Sequence, residues 1–351
     1  MFSELEKVQQ PKLKKQETRV DKGAMELAAS WYVAMESKAL GKKPKAIEIF
    51  GQSLVAWRDQ NGHPVIMERF CSHMGASLAI GQLKEGCIQC PFHHWRFDRT
   101  GQCVSIPEVD NIPPTAHQTT YVTVERYGYI WVWYGSKTPL FPLPEFSVVE
   151  NTHNYVPWRY TFNTKTTVRR VIENVYDQYH LVSLHDLKVA ESIQLTLLNE
   201  QHPELQCELP IKKEAWFGAL IEAPLDGFYG GTGVILRALG FNAESYKLQV
   251  NGWPSGYIAT AFINGEERAQ LLTALTPIAE NKTVWQLLVM LKKTGKPWMD
   301  ILYGLQGQVN SALDVPVWDT MKPDGGGAYV KADRGILKFR EFYQSWVDKV
   351  E

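Results

Sequence analysis

The pattern that most constrains this chain is Cys71-Ser-His73 followed, after sixteen intervening residues, by Cys90-Pro-Phe-His93. Residues two apart in an extended loop point the same way, so Cys71 and His73 can converge on one centre. Cys90 and His93 stand three apart across a tight turn that contains Pro91, which lets them converge as well. Two thiolates and two imidazoles from two loops can hold a four-coordinate zinc, or a [2Fe–2S] cluster with both histidines on one iron. Cys87-Ile-Gln-Cys90 is a competing C-x-x-C, a spacing that suggests zinc or a redox dithiol. A site built on Cys87 and Cys90 leaves the two matched loops half used, whereas using both loops makes Cys87 a spare strand residue. The matched loops therefore favour the cluster. Cys103 and Cys207 read as buried small hydrophobes.

Five cysteines in 351 residues are too few for a disulfide framework. The length exceeds the roughly 250–300 residues at which one core stops growing, so two domains are expected. Lys plus Arg is 37 against 38 acidic residues, which argues against nucleic-acid binding through a basic field and against a highly charged disordered chain. The first 23 residues carry six basic and four acidic side chains and no apolar core, so residues 1–24 are expected to be a flexible solvated tail rather than a secretory signal. No apolar run approaches the roughly 18 residues of a membrane span. A cytoplasmic protein is expected, with its thiols kept reduced.

From 25 to 137 the chain reads as all-β. Candidate strands are Trp31–Met35, Ala46–Arg58, Pro64–Arg69, Gly86–Cys90, Trp95–Phe97 and Tyr121–Trp133, and Asn61-Gly62 marks a hairpin. Three prolines between Pro139 and Pro144 can continue neither helix nor ladder, so 138–150 is expected to be a linker. From 151 to 351 the pattern is α+β with a mostly antiparallel sheet. Helical periodicity covers about Lys165–Leu187, Pro297–Leu313 and Gly335–Val350, and strands are expected at Ala215–Glu222, Tyr246–Val250, Tyr257–Ile263, Leu271–Thr276 and Val284–Leu291. Trp216–Leu220, Tyr257–Phe262 and Trp285–Val289 are candidate pocket walls, although any one of these residues reads more readily as core.

A [2Fe–2S] centre passes single electrons, so the second half should hold whatever uses them. It contains Asp177-Gln-Tyr-His180-Leu-Val-Ser-Leu-His185. Asp177 and His180 share a helix face. His180 and His185 are five apart, an offset of about 140° on a regular helix, so one metal can take both only if the helix bulges or unwinds between them. Two histidines and a carboxylate form the facial set of oxygen-activating Fe(II). Taken alone, the same histidines read as ordinary surface or capping residues. Gly231-Thr-Gly233 and Gly325-Gly-Gly327 lack the spacing of a dinucleotide fingerprint, so electrons must come from outside the chain.

Both constellations together resemble the Rieske non-haem iron oxygenases. Met74-Gly75-Ala76 stands where Rieske proteins of respiratory complexes carry a further cysteine, which points to the oxygenase and ferredoxin branch. The resemblance implies an all-β Rieske domain followed by a helix-grip-like antiparallel catalytic domain with mononuclear iron. It implies Cys71, His73, Cys90 and His93 as cluster ligands and His180 and His185 as iron ligands. Asp314 becomes the third iron ligand, with Asp319 as rival and Glu204 behind it, and Pro316 is expected to end the helix just beyond Asp314. Asp177 becomes the bridge from a neighbouring subunit's cluster to His180. A homotrimer fed by a ferredoxin or an NAD(P)H-dependent reductase is implied, placing one or both atoms of O₂ on the substrate. Most of the family has glycine after the second Rieske histidine. His94 there, with Ala28–Met35, Glu125–Gly135, Ala215–Ala219 and Met321–Tyr329, is similar to the branch that oxidises arylamines to nitroarenes in secondary metabolism. N-oxygenation of an aromatic or heteroaromatic primary amine, through hydroxylamine and nitroso stages, is the expected reaction. C-hydroxylation or oxidative dealkylation of an apolar ring compound is the alternative. A non-catalytic electron carrier is disfavoured by Asp177, His180, His185 and Asp314.

Overall fold

A computed structural model describes residues 25–185, 187–198, 209–226, 243–322 and 325–351. The tail expected at 1–24, Glu204, Cys207 and Gly231-Thr-Gly233 lie outside the described residues.

The first half forms three antiparallel sheets from short strands. β1 (Ser30–Glu36), β2 (Lys45–Ile49), β3 (Gln52–Arg58), β4 (Pro64–Glu68), β5 (Gln82–Lys84) and β6 (Cys87–Gln89) come first. β7 (Arg96–Phe97), β8 (Cys103–Ser105), β9 (Thr120–Tyr121), β10 (Thr123–Arg126) and β11 (Tyr129–Tyr134) follow. Their orders are β1-β11-β10, β2-β3-β4-β9 and β5-β6-β7-β8. The run expected at Ala46–Arg58 is cut in two at Phe50-Gly51, and Tyr121–Trp133 is cut at Tyr127-Gly128, because both pairs turn with positive φ. Asp59 pins the β3–β4 hairpin, its Oδ1 accepting from the backbone N–H groups of Asn61 and His63, both at 2.9 Å. β5 and β8 escape the sequence reading because they are only three residues long.

The second half is one antiparallel sheet with helices on it. Its strands are β12 (Tyr155–Thr164), β13 (Gln194–Leu197), β14 (Phe217–Pro224), β15 (Ser245–Trp253), β16 (Gly256–Ile263), β17 (Glu266–Ala279) and β18 (Lys282–Lys292), in the order β12-β18-β17-β16-β15-β14-β13. β12 was not among the expected strands; the sheet accommodates its Pro157 at its edge, where a missing N–H breaks no second ladder. Among the described residues the helices are α1 (Val168–Val175), α2 (Gln178–Ser183), α3 (Pro297–Trp318) and α4 (Arg334–Val347).

Two expectations are corrected. The helical run at Lys165–Leu187 is two helices, broken at Tyr176–Asp177. Pro316 does not end α3, which runs through it to Trp318. The carbonyl that Pro316 leaves without its helical partner is that of Ala312, and both residues are exposed, so that carbonyl is open to solvent.

The proline segment is no loose tether. Phe141, Leu143 and Phe146 are buried in it, and Trp31 Nε1 donates to the Phe141 carbonyl at 2.9 Å. Tyr127 Oη donates to Pro144 O at 3.0 Å and accepts from Phe146 N at 2.8 Å. One hydrophobic core runs from Trp31 and Trp131 through Phe141 to Trp253, Leu275 and Trp346. A second core, with Trp57, Met67, Ile88 and Phe97, lies under the cysteine loops.

Candidate metal centres

The two cysteine loops have the same construction. Cys71 N donates to Ala76 O and Cys90 N to Trp95 O, while Gly75 N returns to Cys71 O and His94 N to Cys90 O. Each loop turns through a left-handed residue four places after its cysteine, Gly75 at φ +74° and His94 at φ +59°. The cysteines point into the second core and are almost fully buried. The histidines face outward, with ring centroids 4.7 Å apart, and Trp95 stacks flat on His73 at 4.4 Å. Burial, and then the neighbouring Cys90, pushes the Cys71 thiol up to about 11. Bound metal would reverse that by stabilising thiolate.

Gln118, which sequence reasoning missed, locks the first loop. Fully buried, it accepts from Ser72 N at 2.8 Å and donates to Glu68 O and Phe70 O at 3.2 and 2.9 Å. Cys87 sits on β6 with its Sγ toward the Glu85 carbonyl, and Cys103 is buried in the core.

In the second half the chain unwinds between the two histidines. α2 ends at Ser183, and His185 N reaches back to His180 O at 3.3 Å, a five-residue step in place of four. Asp177 caps α2, its Oδ1 accepting from Tyr179 N at 3.0 Å. Its backbone carbonyl accepts from His180 Nδ1, which leaves Nε2 free to face the centre. Burial lowers the His180 pKa, keeping the imidazole in its neutral, ligating form. Buried Asp314, on α3, lies with its Oδ1 3.2 Å from His185 Nε2 and accepts from Asn174 Nδ2, also at 3.2 Å. Asn174 is a further residue the sequence did not flag. Asp319 is elsewhere: its Oδ1 accepts from Thr164 Oγ1 and Lys165 N, both at 2.7 Å, and those bonds hold its carboxyl below the usual range.

These donor sets fit different groups. The ligand atoms of His180, His185 and Asp314 lie within 4.8 Å of one another, close enough for one ion. Among the described residues no other three such side chains converge so tightly. Cys71, His73, Cys90 and His93 therefore do not close on one point as tetrahedral zinc requires, and a two-iron cluster with sulfur inside and imidazole outside suits them better. A cavity of about 350 Å³ opens over the triad of His180, His185 and Asp314. Its walls include Val171, Leu248, Leu271, Leu287 and the phenols of Tyr246 and Tyr257. Of the expected walls, Tyr257, Trp285 and Leu287 line it, whereas on β14 it is Ile221 rather than Trp216–Leu220.

Residues 30–122 match the model of the Rieske [2Fe-2S] domain. The chain is 42% identical to aminopyrrolnitrin oxygenase PrnD of Pseudomonas fluorescens, over 97% of each chain. It is 34% identical to the oxygenase component of a 3-ketosteroid-9-alpha-monooxygenase of Rhodococcus rhodochrous, over 41% of this chain and 39% of that one. Its fold matches dicamba monooxygenase bound to 3,6-dichlorosalicylic acid with a TM-score of 0.73 at 19% identity, covering 92% of this chain and 97% of that one. With full-length similarity of this degree, the chain belongs to the Rieske non-haem iron oxygenases, oxidoreductases that combine a [2Fe–2S] cluster and a mononuclear iron and are supplied with electrons by an external reductase.

Proposed function

We propose that the chain N-oxygenates a primary aromatic or heteroaromatic amine, taking it through hydroxylamine and nitroso stages to a nitro product. The observation that carries this is its 42% identity, over 97% of both chains, with an oxygenase named for an amino compound. The cavity is consistent with it. Apart from the triad, its described lining residues carry no charged side chain. An arylamine is neutral near pH 7, whereas a carboxylate substrate would be left without a partner there.

In this reading Cys71, His73, Cys90 and His93 hold the cluster, and His180, His185 and Asp314 hold the iron. When bound, the cluster delivers single electrons and the iron activates O₂. The protein's share is placement. Apolar walls exclude water around the amine. Burial pushes Tyr257 up to about 12, with Asp314 adding to the effect, so its phenol stays a neutral hydrogen-bond donor beside the triad. Asp177 fixes His180 through its backbone and serves as the bridge to a neighbouring subunit's cluster histidine. Residues 25–137 form the electron-entry domain and 151–351 the oxygenating domain, joined through 138–150.

A homotrimer is part of the proposal. Phe70, Met74, Ile80 and Phe92 are exposed apolar residues in or next to the two cysteine loops. Along α3, exposed Trp298, Ile301, Leu305, Val309, Leu313 and Val317 make an apolar stripe, the kind of surface that marks a protein contact. Among the described residues no helix is long and apolar enough to cross a membrane. A cytoplasmic setting, with a ferredoxin or reductase as donor, would keep the ligand thiols reduced.

The test is turnover of an arylamine under ¹⁸O₂ with product masses read at each stage. Label on nitrogen is expected. Label confined to ring or alkyl carbon would instead establish C-hydroxylation or dealkylation.

A further inference from the structure

α3 carries two glycines on its packed side, and only one has a packing reason. A Cβ on Gly304 would lie 2.1 Å from the Trp158 ring, so nothing larger fits there. A Cβ on Gly307 would meet only Tyr160 Oη, at an ordinary 3.7 Å. Its φ is not in the left-handed region, so the backbone does not require glycine either. Glycine in a helix interior is nonetheless unfavourable relative to alanine.

What Gly307 does touch is the cavity. Gly307, Asn310, Ser311, Asp314 and Trp318 follow one another at helical spacing and all line it. Gly307 is two turns before Asp314 on the same face, about 10 Å along the axis. A single aromatic ring with its nitrogen at the triad ends short of that position; a second ring reaches it.

We propose that Gly307 is a specificity-determining position that opens the distal end of the cavity to arylamines longer than one ring. The choice of amines as probes rests on the N-oxygenase reading; the size assignment does not.

The experiment compares wild type, Gly307→Ala and Gly307→Leu as purified holoenzyme. Isothermal titration with aniline, 4-aminobiphenyl and the amine-free 4-phenylphenol gives affinities, and turnover of the two amines gives products. Wild type is expected to bind both two-ring probes. Gly307→Leu should weaken both by about tenfold or more through overpacking, with aniline within about threefold, and Gly307→Ala should fall between. Since both replacements favour helix, melting temperatures should hold or rise. The proposal is overturned if wild type binds neither two-ring probe, if Gly307→Leu binds them as wild type does, or if aniline affinity falls equally. If binding behaves as expected while oxygen appears only on carbon, the size assignment stands and the N-oxygenase reading falls.

Discussion

Asp314 is held between His185 and Asn174: its Oδ1 lies 3.2 Å from His185 Nε2 and accepts from Asn174 Nδ2 at 3.2 Å. The carboxylate thus arrives at the triad already oriented from α1. Asp314→Ala should lower iron from about three per chain to about two while leaving the cluster's paramagnetic signal intact. Metal analysis beside the reduced-state spectrum checks this, and three irons with full turnover would remove Asp314 from the ligand set.

Asp319 supplies the contrast. Its two short bonds tie the end of β12 to the end of α3. Asp319→Ala should keep its iron but lose about 1 kcal/mol of stability. Because the folded carboxyl titrates below its ordinary 3.8, that contribution is present above 3.8 and lost only as pH falls through the lower folded value. Melts at pH 6, 7 and 8 should therefore show one constant difference from wild type.

Gln118→Leu removes three partly buried hydrogen bonds from the first cysteine loop. The expected loss is about 2–3 kcal/mol, with fewer clusters per chain on purification. Iron and acid-labile sulfide counts, together with a denaturant titration, measure both effects.

His94 adopts at φ +59° the conformation that Gly75 adopts in the sister loop. His94→Gly should raise stability by about 0.5–1 kcal/mol through relief of that conformation, the cluster being retained. A melting temperature equal to or below wild type would show that the histidine side chain contributes more than its backbone costs.

The proposed cluster ligands were legible because each loop brings its own pair together within three or four residues. The same holds for Asp177 and His180. Asp314 was not legible from spacing alone, since a lone aspartate on a helix has no local mark; resemblance supplied it, and Pro316, taken as the end of that helix, lies inside it. Gln118 and Asn174 were invisible for a related reason, because what they bond to comes from distant parts of the chain. The shared core was equally hidden. Three prolines signal a break in hydrogen bonding, and they do not show that Phe141 and Phe146 pack on both sides of it.

The central claim is that electrons leave the cluster through Asp177 for chemistry at the amine. Enzyme reduced in advance and then mixed with arylamine and O₂, without a donor, gives a single turnover in which cluster oxidation and product can both be read. In wild type the cluster should reoxidise as the hydroxylamine forms. In Asp177→Asn, with iron and amine affinity unchanged, the cluster should stay reduced and product fall by about 100-fold. Wild-type rates of cluster oxidation and product in that variant would contradict the claim.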